Sequence, residues 1–166
     1  EKVTFIQVVT PSRTKIPSYR KLRENIDTLV ENINLKYGLG GWKPVITMVG
    51  PLLTATLTAL PDLSYVSIVS PLHNGMNLVA KEFVASRYDN EGILLLSHFA
   101  GAAKELDDAL LINPYAIDHA AASIEKALEM PRIERYKRMR RKRSIVKENN
   151  IHKWAANIIE ELTKSV

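Results

Sequence analysis

Five short runs rich in Val, Ile and Leu, at residues 3–10, 45–50, 65–70, 93–97 and 109–112, alternate with stretches of helical periodicity, and this alternation constrains the fold more than any other feature. A run such as Ile93-Leu94-Leu95-Leu96 is apolar at every position and needs cover on both faces. A parallel sheet between helix layers supplies that cover. The intervening stretches obey the other period. From residue 17 to 37, Tyr19, Leu22, Ile26, Leu29, Val30, Ile33 and Tyr37 recur every three or four positions and make one apolar stripe. Pro17 suits a first helical turn and Gly38 a stop. Further helices are expected over 52–60, 75–88, 102–106 and 120–129, the last capped by Asp118. After Met130-Pro131 the strands end. Two helices follow, 133–146 and 151–162, and the second gathers Trp154, Ile158, Ile159 and Leu162 on one side. The expected fold is α/β, a Rossmann-like doubly wound parallel sheet over residues 1–130 followed by C-terminal helices over 131–166.

Composition narrows the function classes. A length of 166 residues suits one core-bearing domain, and the absence of cysteine removes disulfide scaffolds, thiolate metal sites and cysteine nucleophiles together. No apolar run approaches the ~20 residues of a membrane helix, so a soluble, cytoplasmic protein is expected. The net charge of +5 is concentrated. Nine basic residues and two acids lie between Pro131 and Asn150, a local +7 that leaves −2 on the remainder. Such a run would suit a nucleic-acid-binding module, the rival class. However, Ile133, Tyr136 and Met139 recur every three residues, as in a helix with one packed edge and a solvated basic remainder, and no interleaved aromatics offer base stacking. Nucleic acid is therefore not expected as a partner.

In open parallel sheets, ligands bind beyond the carboxyl ends of the strands, which limits the search to three loops. The first, SPLHNGMNLVAKEF at 70–83, is a strand end turning through Gly75 into a helix. The N–H groups of Gly75, Met76, Asn77 and Leu78 would face an anion with the helix dipole behind them. Glu82, further along, could accept from a ribose diol. Local physics alone favours a plain connection, with Asn74 tolerating a strained turn and Glu82 solvated. The second loop puts Arg13 beyond the first strand, either gripping a phosphate or simply lying at the surface. In the third, His98 to Leu106, small residues permit close approach of a ligand or tight helix packing. His73, His98, His119 and His152 lack metal-ligand spacing, and no GxSxG, GxxxxGK[ST] or GxGxxG motif occurs.

Taken in order, VVTPSR at 8–13, SPLHNGMNLVAKEF at 70–83, LSHFAGAAKEL at 96–106 and NPY at 113–115 resemble the trehalose-6-phosphate synthase family of retaining glycosyltransferases over essentially the whole length. The combination of the GMNLVAKE run with the FAGAA motif is specific enough to overturn the plain-connection reading. The resemblance implies a GT-B enzyme of two Rossmann-like domains, of which this sequence is similar to most of the carboxyl-terminal, nucleotide-sugar-binding one. It begins one strand and helix later than that domain does in the family, so a fragment is expected, inactive alone, whose partner would be the missing N-terminal domain.

The implied reaction transfers glucose from UDP-glucose, or another nucleoside diphosphate glucose, to glucose 6-phosphate, without metal or other cofactor. In that scheme the donor-binding residues are Asn74, Gly75, Met76, Asn77, Leu78, Val79 and Glu82. The amides of Gly75, Met76 and Asn77 face glucose hydroxyls, those of Leu78 and Val79 the diphosphate, and Glu82 the ribose, while Arg13 binds the acceptor phosphate. Two positions depart from the family: His73-Asn74 replaces its usual Arg-Asp, and residues 51–63 hold no basic counterpart of a second phosphate-binding Arg. The alternative is therefore a related transferase with a different phosphorylated acceptor, or a degenerate homologue. The terminal helices match the family's closing segment, and an uncovered apolar face there would favour self-association as a homo-oligomer.

Overall fold

The computed structural model describes residues 2–11, 14–50 and 54–164. The chain forms two compact units, residues 1–54 and 55–166. All five expected strands form and every strand pairing is parallel, divided between a two-stranded sheet in the first unit and a three-stranded sheet in the second.

The first unit is a strand-helix-strand crossover of β1 (Phe5–Val9), α1 (Pro17–Tyr37) and β2 (Val45–Val49). Phe5 pairs with Val45 and Val9 with Val49. The last turn of α1 fixes where β2 begins: the Asn34 carboxamide donates to the Val45 carbonyl and accepts from its N–H, both at 2.9 Å. Gly38 ends the helix because a Cβ there would run into the Asn34 carbonyl oxygen. Gly40 and Gly41, at φ 59° and 81°, then make the left-handed turn that returns the chain to the strand.

The second unit runs α2 (Thr54–Leu63), β3 (Val66–Val69), α3 (Leu78–Ser86), β4 (Ile93–Ser97), a 3-10 turn (Gly101–Lys104), β5 (Leu110–Ile112), α4 (Ile117–Leu128), α5 (Arg132–Glu148) and α6 (Ile151–Lys164). Its sheet order is β3-β4-β5, and every residue of the central strand β4 is buried. Side-chain alternation divides that strand between two cores. Leu94 and Leu96 pack with Phe83 and Val84 of α3 and Met139 of α5, while Ile93 and Leu95 pack with Ala127 of α4 and Ile112 of β5. Both faces are therefore covered, as the unbroken apolar run requires. Truncating either inner leucine to Ala should cost roughly 2–5 kcal/mol.

Three local expectations change. Asp118 is not the cap of α4, which starts at Ile117 with no side-chain cap; Asp118 sits inside the first turn, where its charge still complements the helix dipole. Helix α3 starts at Leu78 rather than Gly75, because Asn77 takes the left-handed conformation and caps it. On α5 the buried edge is Met139 with Lys142, and Ile145 and Val146 pack against the core, whereas Ile133 and Tyr136 are exposed. Every described residue of α6 is exposed, Trp154, Ile158, Ile159 and Leu162 among them.

Candidate functional site

The candidate site lies beyond the carboxyl ends of β3 and β4, where the loop before α3 is braced on the loop after β4. Asn74 and Ala100 form an isolated parallel bridge. Within it the Gly101 N–H donates to the Asn74 carbonyl at 2.8 Å and the Asn74 N–H to the Phe99 carbonyl at 3.4 Å. This contact explains why position 101 is glycine. A Cβ on Gly101 would lie far inside the contact distance of the Gly75 carbonyl oxygen and 2.7 Å from its carbonyl carbon. Gly75 itself has open space where a Cβ would stand. The small residue of the second motif thus seats the backbone of the first.

Asn77, at φ 60°, turns the chain into α3, and its side-chain oxygen accepts from the Ala80 N–H at 3.0 Å. That cap satisfies one of the orphan donors of the first turn. The N–H groups of Leu78 and Val79 have no acceptor among the described residues, and their side chains are exposed beside them. Glu82 follows Leu78 by one turn on the same helix face and is exposed. The backbone donors, the positive helix end and one carboxylate therefore line one open surface, an arrangement suited to a diphosphate attached to a diol-bearing sugar.

The expected donor-binding residues 74–79 and 82 are brought together in this way. His73 and Asn74 are exposed at the entrance of the turn. Arg13, the expected acceptor-phosphate ligand, lies outside the described residues. Tyr115 of the NPY motif joins the periphery, stacking edge-on against Phe99 with centroids 5.8 Å apart, and Phe99 in turn meets His98 at 4.0 Å.

Supporting residues emerge that the sequence motifs did not single out. Lys81 of α3 pairs with both Glu105 carboxylate oxygens at 2.9 and 3.0 Å, and Asn149, following α5, donates to Glu105 at 3.1 Å. The AKE and AKEL runs held this pair in plain view, but a lysine and a glutamate 24 positions apart carry no spacing signal. Arg87, almost fully buried, donates to the carbonyls of Pro61, Asp62 and Ser64 at the end of α2 and pairs with Asp89. It therefore neutralises the negative end of that helix.

Among the described residues, no group of three or more His, Cys, Asp or Glu could hold a metal ion. No described helix is long and apolar enough to cross a membrane.

The family model of glycosyltransferase family 20 matches residues 1–164. The chain belongs to glycosyltransferase family 20. Family 20 relatives include the trehalose-6-phosphate synthase of Klebsiella pneumoniae, 40% identical over 162 residues that make up 97% of this chain and 34% of that protein. The bifunctional trehalose-6-phosphate synthase/phosphatase of Thermoproteus tenax is 39% identical over 97% of this chain and 22% of its own length.

Solved family structures superpose closely. The Burkholderia xenovorans α,α-trehalose-phosphate synthase (UDP-forming), in complex with glucose-6-phosphate, aligns with a TM-score of 0.89 at 39% identity, covering 97% of this chain and 36% of that one. An E. coli structure with UDP-2-fluoro glucose bound aligns at 0.90 and 38% identity, covering 96% and 36%. The chain thus spans about a third of the length of the synthases it matches.

Proposed function

We propose that this chain is the donor-binding part of a retaining family 20 glycosyltransferase that moves glucose from UDP-glucose, or another nucleoside diphosphate glucose, to glucose 6-phosphate, forming trehalose 6-phosphate. The observation that carries the reading is the start of α3. Asn77 caps the helix while leaving the Leu78 and Val79 N–H groups without an acceptor among the described residues, on a loop held by the Gly75 to Gly101 contact. The names of the relatives supply the substrates: one synthase is described as UDP-forming and complexed with glucose-6-phosphate.

Breaking the bond between the sugar and a diphosphate puts developing negative charge on the leaving oxygens. Preorganised N–H donors at a helix terminus stabilise that charge without transferring a proton. In this scheme Leu78 and Val79 hold the diphosphate, the amides of Gly75, Met76 and Asn77 and the Asn74 segment face the glucose hydroxyls, and Glu82 accepts from the ribose. Helix-end donors support a metal-independent reaction. Arg13 would hold the acceptor phosphate. His73 and Asn74 favour a second acceptor reading: a neutral amide replaces the carboxylate usual beside the transferred sugar, so another phosphorylated acceptor is the alternative.

The exposed apolar face of α6 supports a missing partner half of the cleft, and turnover by this chain alone should be undetectable. Sugar-phosphate substrates place the reaction in the cytoplasm. Calorimetry with UDP-glucose, UDP and a short RNA at two salt concentrations tests the reading. Nucleotide-sugar binding weakened roughly tenfold or more by Glu82→Ala supports it, since a hydrogen bond to a charged group contributes about 1.5–3 kcal/mol. Salt-sensitive RNA binding with no response to either nucleotide contradicts it.

A further inference from the structure

The basic run of α5 divides in the structure into two sets. Arg132 and Arg135 pair with Glu91, Arg138 with Glu134, and Arg141 bidentately with Asp108, while Lys142 is buried. Arg140 and Lys147 have no carboxylate partner among the described residues, and Arg143 bonds only neutral groups. These three lie at spacings of three and four on one helix face, and all three line one open groove of about 450 Å³. Ala85 of α3, Asn90 and Ser144 complete the part of the lining that matters here, and no acidic residue lines it among those described.

The groove is partly preorganised. Arg143 donates to the Asn90 side-chain oxygen at 3.2 Å and the Tyr88 carbonyl at 3.4 Å, and its guanidinium lies 5.2 Å from the centre of the Tyr88 ring. That anchoring fixes one cation at the rim, while Arg140 keeps a whole guanidinium fork for a ligand. The Ser144 hydroxyl, now donating to Glu148 at 3.2 Å, can turn to a stronger acceptor. Ala85 is seven residues beyond Leu78, so the groove sits ~10 Å further along α3 than the donor end.

We propose that this groove is a second ligand site, selective for a small phosphate-bearing molecule and separate from the nucleotide-sugar surface. Its volume lies within the ~300–1,000 Å³ of small-molecule sites, and three unneutralised cations around one concavity match a phosphate dianion better than a flat basic face does. Such a ligand, bound across α3 and α5, would clamp the helix whose other end carries the donor amides.

The test is an NMR titration of the whole chain with inorganic diphosphate at about 0.15 M salt, where loose surface attraction is screened. Saturable shifts are expected at the amides of Ala85, Asn90 and Ser144. Binding should weaken roughly tenfold or more in the Arg140→Gln/Lys147→Gln double variant, since each charge-assisted contact contributes about 1.5–3 kcal/mol. Both side chains are exposed, so the variant should melt with the wild type and bind UDP-glucose unchanged. Absence of saturation up to ~10 mM overturns the proposal, as does equal binding by the variant. An RNA oligonucleotide that shifts these amides when diphosphate does not would overturn it in favour of a polyanion surface.

Discussion

Replacing Gly101 by Ala isolates the contact on which the donor loop depends. The added Cβ would stand 2.7 Å from the Gly75 carbonyl carbon and nearer still to its oxygen. Comfortable carbon–carbon contact needs ~3.5 Å, so the two loops must part by roughly 0.8 Å or more. Overpacking of this kind costs about 1–3 kcal/mol, and stretching the Gly101 to Asn74 hydrogen bond adds about 1 kcal/mol. Against this, Ala restricts the unfolded chain and returns ~0.4–1 kcal/mol, since Gly101 is not in the left-handed region. The net loss of about 1–3 kcal/mol corresponds to a fall in Tm of roughly 2–12 °C for a chain of this size. The same displacement moves the Gly75 to Val79 amides, and a shift near 1 Å at a binding centre can cost up to ~100-fold. Gly75→Ala is the matched control, with open space for its Cβ and a Tm expected to stay with the wild type. Circular dichroism melting of both variants, with UDP-glucose calorimetry, decides the matter. A Gly101→Ala protein that melts and binds like the wild type would refute the bracing argument.

Other perturbations separate the remaining contacts. Asn77→Ala removes both the cap to Ala80 and the residue suited to φ 60°, so it should cost about 2 kcal/mol by chemical denaturation, and Asn77→Gly should recover more than half. The hydrogen bond from Arg141, with the nearby charges of Arg141, Lys142 and Arg138, holds the Asp108 carboxyl below its ordinary 3.8. Its stabilisation is present above pH ~4 and is lost as pH falls through the lowered folded value, so the Tm gap between wild type and Asp108→Asn should be wide at pH 7 and close in stronger acid. Burial pushes the Lys142 amine down to about 8 from 10.5, against the attraction of Asp108 and with the repulsion of Arg138 and Arg141. The unfolded chain holds that proton up to pH ~10.4, so stability should rise with pH across this window. Lys142→Met should therefore raise Tm at pH 7, by up to about 3 kcal/mol of stability, with the gain shrinking towards pH 10; a lower Tm at pH 7 would show that the ammonium is held by its neighbours.

Strand positions were legible because unbroken apolar runs such as residues 93–96 admit few other structures. The start of α3 was misplaced by three residues because Asn77 reads as an ordinary turn residue until its left-handed backbone is seen. Helix α5 shows the limit more sharply. Its periodicity pointed inward at Ile133, Tyr136 and Met139, yet only Met139 is buried, and the neighbouring contact is made by Lys142. A residue's charge alone did not reveal that Asp108 would wait beside a lysine buried in that face. The donor motif was recognisable as a string, but the reason for its partner glycine is a backbone contact between residues 26 positions apart. No periodicity in the sequence encodes that contact.

The most direct test of the account follows the backbone amides of this chain during titration with UDP-glucose. Saturable shifts should appear at Gly75, Met76, Leu78 and Val79 and need several-fold more ligand in Glu82→Ala, while the amides of residues 132–147 stay in place. A folded chain whose residues 75–79 do not respond, or whose response lies only along the basic helix, would contradict the assignment of the α3 terminus as the nucleotide-sugar site.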